Sequence, residues 1–181
     1  MNAKMFDEMA LLNEETWARM SAMMKSEDDI GVVLRLHLLT EKILEAWCCS
    51  ASNNPRFFDG FGESLTISYA AKLKLASNFG LNEHSYLEFK QINKIRNVRS
   101  HQIDNPEITD KEIQQMISLI SNGDQKKLVS NDRFGIYVDG QQIHLHDPNI
   151  SNREKLIAIL AGVINRISRQ VHHNDGFIKL L

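Results

Sequence analysis

The sequence predicts a mainly α protein, a helical bundle that carries a small C-terminal β-hairpin and a final helix. Glycine (9) and proline (3) are scarce, which disfavours a many-turned all-β fold. Most of the chain repeats its apolar residues at helical spacing. One stretch, RFGIYVDGQQIHLH, instead reads as two short runs around Asp139-Gly140, a two-residue hairpin signal. With 181 residues, no repeat and no linker, a single domain is expected over 1–181. Its bundle takes about 1–121 and 150–175, and the hairpin is inserted at about 132–146.

Residues 4–25 read as one amphipathic helix with Phe6, Met9, Ala10, Trp17, Met20 and Met24 on a shared face. Six of the seven methionines lie in the first 24 residues, so this face is either core filler or an adaptable partner surface. Residues 28–51 form a second helix, apolar on nearly every side and so expected at the centre. His37 and Glu41 sit one turn apart within its apolar arc, where an unpaired carboxylate is costly and a partner is required. SNNPRFFDGFGES is a loop. A third helix is expected over 65–79, with Gly80 as its C-terminal cap. A fourth covers 83–100 and a fifth 110–121, the latter entered through a Thr109–Glu112 capping box. In the hairpin, the turn pairs Val138 with Gln141, Ile136 with Ile143 and Phe134 with Leu145. A lone hairpin is marginal in water, so its apolar face should lie on the helices. Ser151 and Glu154 form a second capping box. The last helix, 152–172, buries Leu156, Ile157, Leu160, Val163, Ile164 and Ile167.

The net charge of −2 and pI of about 6.4 argue against a broad DNA-coating surface, though not against a local basic cleft. Cys48 and Cys49 are adjacent and poorly placed to bond each other, which points to a reduced, cytoplasmic chain. No signal-type core or membrane-spanning run is present. No phosphate loop, HExxH or paired CxxC occurs. His144, His146 and Asp147 are imaginable as metal ligands, but Arg133 should sit opposite His146 and oppose a cation. Neither a metal nor a cofactor is therefore expected.

That leaves QINKIRNVRSHQ, residues 91–102. Arg96 projects between Phe89 and Ile92, toward the core side. Asn93, Asn97 and His101, spaced by four, form a polar stripe at the edge of that arc. Arginine offers a planar, permanent cation for phosphate, histidine moves a proton near neutral pH, and asparagine can orient either. Such a set suffices for metal-free RNA cleavage by 2′-hydroxyl attack. By composition alone, Arg and His near a helix end more often mark a capped, solvated terminus. Arg96 and His101 are five residues apart, about 140° around an ideal helix, so one straight helix splays them. Joint action requires a helix break near Ser100 or a second subunit.

NKIRNVRSH resembles the signature of the HEPN superfamily, an arginine, usually followed by a polar residue, four to six positions before a histidine. Arg96, Asn97 and His101 match it. Residues 34–101, from LRLHLLTEKILEA through ISYAAKLKLASNFGL to NKIRNVRSH, resemble the branch of that superfamily that contains the mannitol operon repressor. The resemblance implies a HEPN-like helical bundle that forms a homodimer. In catalytic members two copies of the motif meet at the dimer interface and cut RNA without metal, often as toxins or phage-defence effectors. It thus implies Arg96, His101 and Asn97 as catalytic residues, an RNA substrate and a possible antitoxin or regulatory protein partner. Asn93, Arg99, Glu41 and His37 are expected to support them or bind substrate, with Glu41 or His37 bracing Arg96. The repressor branch implies the alternative, a noncatalytic transcriptional regulator or protein-interaction module, in which Arg96 and Glu41 form a structural ion pair.

Overall fold

The longest helix organises the rest. In the computed structural model, which describes residues 1–10, 14–25, 28–59, 67–101, 107–121, 135–138, 141–145 and 147–174, the chain is mainly helical. The predicted first helix is two, α1 (Ala3–Ala10) and α2 (Glu14–Met24). They are followed by α3 (Asp29–Ser52), α4 (Tyr69–Asn78), α5 (Glu83–His101) and α6 (Asp110–Ser121). Strands β1 (Gly135–Val138) and β2 (Gln141–His144) precede α7 (Asn152–Asn174). Helix α3 packs against α1, α4, α5 and α7, while α6 bridges α5 and α7.

The division of the first helix changes which residues are buried. Phe6, Ala10, Met20 and Met23 enter the core, whereas Trp17, expected on the same face, is 38% exposed. Met9 and Met24 pack against the core in part, so the methionine-rich segment is mostly core filler. Helix α3 is central but not covered all round. Leu38 is 63% exposed, on the side also occupied by the exposed Leu34 and Arg35.

Local chemistry sets the helix ends. Helix α4 begins later than the predicted residue 65, because Ser68 is its N-cap and accepts from Ala71 N at 3.3 Å. Its C-terminus closes through Gly80 at φ 87°, with Leu81 N donating to Ala76 O at 2.9 Å. Both capping boxes form. Glu112 Oε2 accepts from Thr109 N at 2.9 Å, and Glu154 Oε2 accepts from Ser151 N at 2.9 Å.

Strands β1 and β2 pair antiparallel, Ile136 opposite Ile143 and Val138 opposite Gln141. Phe134, expected opposite Leu145, lies outside the described residues, as do Asp139 and Gly140. Leu145, just beyond β2, is buried in the core cluster. All six residues predicted for the buried stripe of α7 are buried. Asp29 joins three distant elements. It accepts from Arg153 Nε at 2.5 Å and from Ile108 N at 2.8 Å, which ties the start of α3 to α7 and to the entry of α6. No helix among the described residues is long and apolar enough to cross a membrane.

Candidate functional site

Helix α5 carries the motif, and its buried arc is made by Phe89, Ile92 and Ile95, each no more than 2% exposed. Arg96 is half-buried beside that arc. Its Nη1 donates to Asn97 Oδ1 at 3.1 Å, and its Nε is buried with no hydrogen-bond partner among the described residues. Asn97 is exposed. Ser100 Oγ donates to Arg96 O at 2.9 Å, and α5 remains helical through His101, its last residue. The helix break that would have let Arg96 and His101 converge within one chain is therefore absent. The His101 side chain lies outside the described residues, and only its helical position enters here.

Asn93 faces across to α3. Its Oδ1 lies 3.0 Å from His37 Nε2, so with the amide oxygen turned to the ring the imidazole donates from Nε2. The His37 ring also stacks on Tyr69 of α4, centroids 4.3 Å apart. Tyr69 in turn donates its hydroxyl to Thr40 Oγ1 at 3.0 Å. His37 is 7% exposed. Burial holds its pKa below the ordinary value. The hydrogen bond with Asn93 pulls upward, the Arg96 guanidinium pushes downward, and Glu41 pulls upward more weakly. His37 is thus a neutral imidazole at pH 7, held by Asn93 and Tyr69.

Glu41 does not brace Arg96, nor does it form an ion pair with it. It accepts from Lys72 Nζ of α4 at 2.8 Å, and Lys72 also donates to Glu45 at 2.7 Å. Burial works against the Lys72 ammonium, but the two carboxylates outweigh it and raise the pKa. Arg96 is near enough to His37 to push its pKa down, but among the described residues neither His37 nor Glu41 bonds to it. Helix α4 supplies a cation that reaches Glu41 first.

Arg99, expected to support the site or bind substrate, is a structural residue. It is 2% exposed, donates to Glu107 O at 2.5 Å and pairs with Glu112. It therefore holds the chain that enters α6. Glu88 is fully buried and pairs with Arg166 of α7, which also donates to Ser85 Oγ. Burial pushes the Glu88 carboxyl up to about 7, against the opposing pull of Arg166. The signal was available: at about 100° per residue, Glu88 and Arg99 project onto the middle of the arc of Ile92 and Ile95.

Beside the motif, α5 and α6 form an open concavity of about 710 Å³, lined chiefly by Lys90, Gln91, Asn93, Lys94 and Asn97 of α5 and Leu119 of α6. Two of the motif-stripe residues, Asn93 and Asn97, thus line this open groove, beside the apolar Leu87, Val98 and Leu119. Among the described residues no group of three His, Cys, Asp or Glu side chains could hold a metal ion. His146 lies outside them. Cys48 and Cys49 are free and buried, and burial raises the Cys48 thiol to about 12, so neither is a ready nucleophile. Comparison of the chain with protein-family models, with curated proteins and with solved structures found no match.

Proposed function

We propose that the chain is a metal-independent endoribonuclease of the HEPN type, working as a homodimer in a toxin or phage-defence role. The observation that supports this best is the state of Arg96. A permanent cation is held half-buried on the helix that lines the α5–α6 groove, steadied by Asn97, and its buried Nε makes no hydrogen bond among the described residues. The structural arginines Arg99 and Arg166 each pair with a carboxylate, Glu112 and Glu88. Glu41, the carboxylate expected to pair with Arg96, belongs to Lys72. The continuity of α5 through His101 supports a composite site, since one straight helix cannot bring Arg96 and His101 together.

The chemistry runs by general base catalysis. His101 removes the proton of a ribose 2′-hydroxyl, and that oxygen bonds to the adjacent phosphorus. Arg96 stabilises the charge that gathers on the phosphate oxygens. The bond to the 5′-oxygen breaks, and the leaving oxygen takes a proton from the histidine of the second copy. The products are a 2′,3′-cyclic phosphate and a 5′-hydroxyl. Asn97 orients Arg96, and His37 with Asn93 fixes the wall behind it.

The test is cleavage of single-stranded RNA in EDTA by the purified protein. Arg96→Ala and His101→Ala are expected each to abolish cleavage while the chain stays folded. A substrate with 2′-deoxyribose at the cut position is expected to resist. Full activity in both variants would sink the reading. One observation favours a noncatalytic regulator instead: Arg96 already spends one donor on its own neighbour Asn97. On that reading no RNA is cut, and the protein recovers a specific operator DNA or protein partner.

A further inference from the structure

Among the described residues the lysines of α5 have no counter-charge. Between Phe89 and His101 the helix holds Lys90, Lys94, Arg96 and Arg99 and not one carboxylate, although the whole chain has a net charge of −2. Arg99 is neutralised by Glu112, and Glu88 just upstream is turned inward to Arg166. Residues three and four positions from Lys90 or Lys94 include no acid, so neither has an ion-pair partner on its own helix. Among the described residues neither makes an ion pair elsewhere. They are also neighbours at i, i+4, an arrangement that disfavours the helix slightly and serves no stabilising end. A preference of cations for the helix C-terminus does not explain them, because that field is confined to about the last turn. Lys90 lies 11 residues before His101.

Their register is informative. Positions 90, 94, 97 and 101 follow at intervals of four, three and four, which places them on one stripe of α5. The stripe runs about 16 Å. It contains the two lysines, then Asn97, then the helical position of His101. The same lysines line the 710 Å³ concavity with Gln91, Asn93 and Asn97 and the apolar Leu87, Val98 and Leu119, and no lining residue is acidic.

We infer that the α5–α6 groove is the track for single-stranded RNA, with Lys90 and Lys94 gripping backbone phosphates that flank the scissile one. This rests on the ribonuclease reading for the identity of the polyanion. Lysine acts as a mobile point charge and so tolerates any sequence. The side-chain amides of Asn93, Asn97 and Gln91 can both donate and accept, which suits unpaired base edges and the 2′-hydroxyl. Gln91 is already held by Gln115 of α6 at 2.8 Å, so the groove wall is braced. The length of the stripe corresponds to a few nucleotides, not to a duplex footprint.

The experiment separates binding from cutting. Binding of fluorescein-labelled single-stranded RNA is measured by anisotropy over a range of salt, with the His101→Ala protein as the uncut parent. Adding Lys90→Gln and Lys94→Gln is expected to weaken binding about tenfold and to reduce the slope of log K against log salt by about 1.4, two phosphates on a single strand. Lys4→Gln with Lys74→Gln, away from the groove, is expected to change neither. If the protein without these changes cuts RNA but the lysine variants bind as the parent does, the groove is not the track and the ribonuclease reading stands. If RNA binds through the lysines but is never cut, the track stands and the ribonuclease reading falls. Parent protein that binds no RNA at low salt overturns the inference. Equal lysine-dependent binding of duplex DNA overturns it in favour of a general polyanion surface, and loss of the dimer in the lysine variant would make the groove a subunit interface.

Discussion

At the scale of single residues, two buried ionisable groups impose opposite pH dependences. His37 has a folded pKa below its ordinary value of 6.5, so the unfolded chain binds the proton first. Its contribution to stability is present above pH 6.5 and is lost as pH falls through the lowered folded value. Glu88 is raised from 4.5 to about 7, so the folded chain binds the proton first. Its contribution is present below pH 4.5 and is lost as pH rises toward 7. Between pH 5 and 6.5 the two slopes oppose each other. Glu88→Gln is expected to make stability rise more steeply with pH there, by up to about 1.4 kcal/mol per pH unit. His37→Gln is expected to tilt the curve the other way. Urea unfolding of each variant over that window, compared with the parent, reads the sign directly, and a shared sign would refute the assignment.

At the scale of elements, the junction between α5 and α6 depends on side chains that meet across a short connection. Glu112 Oε2 accepts from Thr109 N at 2.9 Å and from Thr109 Oγ1 at 2.8 Å, and the same oxygen pairs with Arg99. Thr109→Ala removes one cap and is expected to cost about 1 kcal/mol. Arg99→Ala leaves a buried carboxylate side and the Glu107 carbonyl without their cation, and about 3 kcal/mol is expected. Denaturant midpoints at a fixed slope measure both. Because Arg99 is a structural residue, a milder change such as Arg99→Lys is expected to lower stability more than any RNA-cleavage rate per folded molecule. The reverse pattern would return Arg99 to the substrate.

At the scale of the whole molecule, the question is how α5 meets its own copy. An unbroken helix that splays Arg96 and His101 makes a second chain a requirement of the proposed chemistry. Light scattering is expected to give twice the chain mass of 20.7 kDa. A protein that cuts RNA as a strict monomer would contradict the composite site. The exposed Leu38 and Trp17 belong to α3 and α2, not to the helix that carries the motif, so the proposed composite site does not call on them. Substituting them with polar residues is accordingly expected to leave the mass unchanged.

Much of this architecture was legible in local pattern. The buried stripe of α7, the two capping boxes and the Gly80 cap depend on residues within one or two turns, and helical periodicity carries that information by itself. So did the inward lean of Arg96. The division of the first helix was not legible, because its apolar residues keep one phase across residues 11–13 and only burial distinguishes Met20 from Trp17. Partner choice was also beyond the sequence. His37 needed a partner, and the fold chose Asn93, 56 positions away; Glu41 needed one, and the fold chose Lys72 over Arg96. Glu88 found Arg166, 78 positions along the chain. A buried charge announces through periodicity that it must be paired, because desolvation forbids the alternative. Which of 21 Lys and Arg residues reaches it depends on how the helices pack. The sequence determined the helices, their caps and the residues that could do chemistry, whereas tertiary packing decided which of them were neutralised and, among the described residues, left Arg96, Lys90 and Lys94 without an acid.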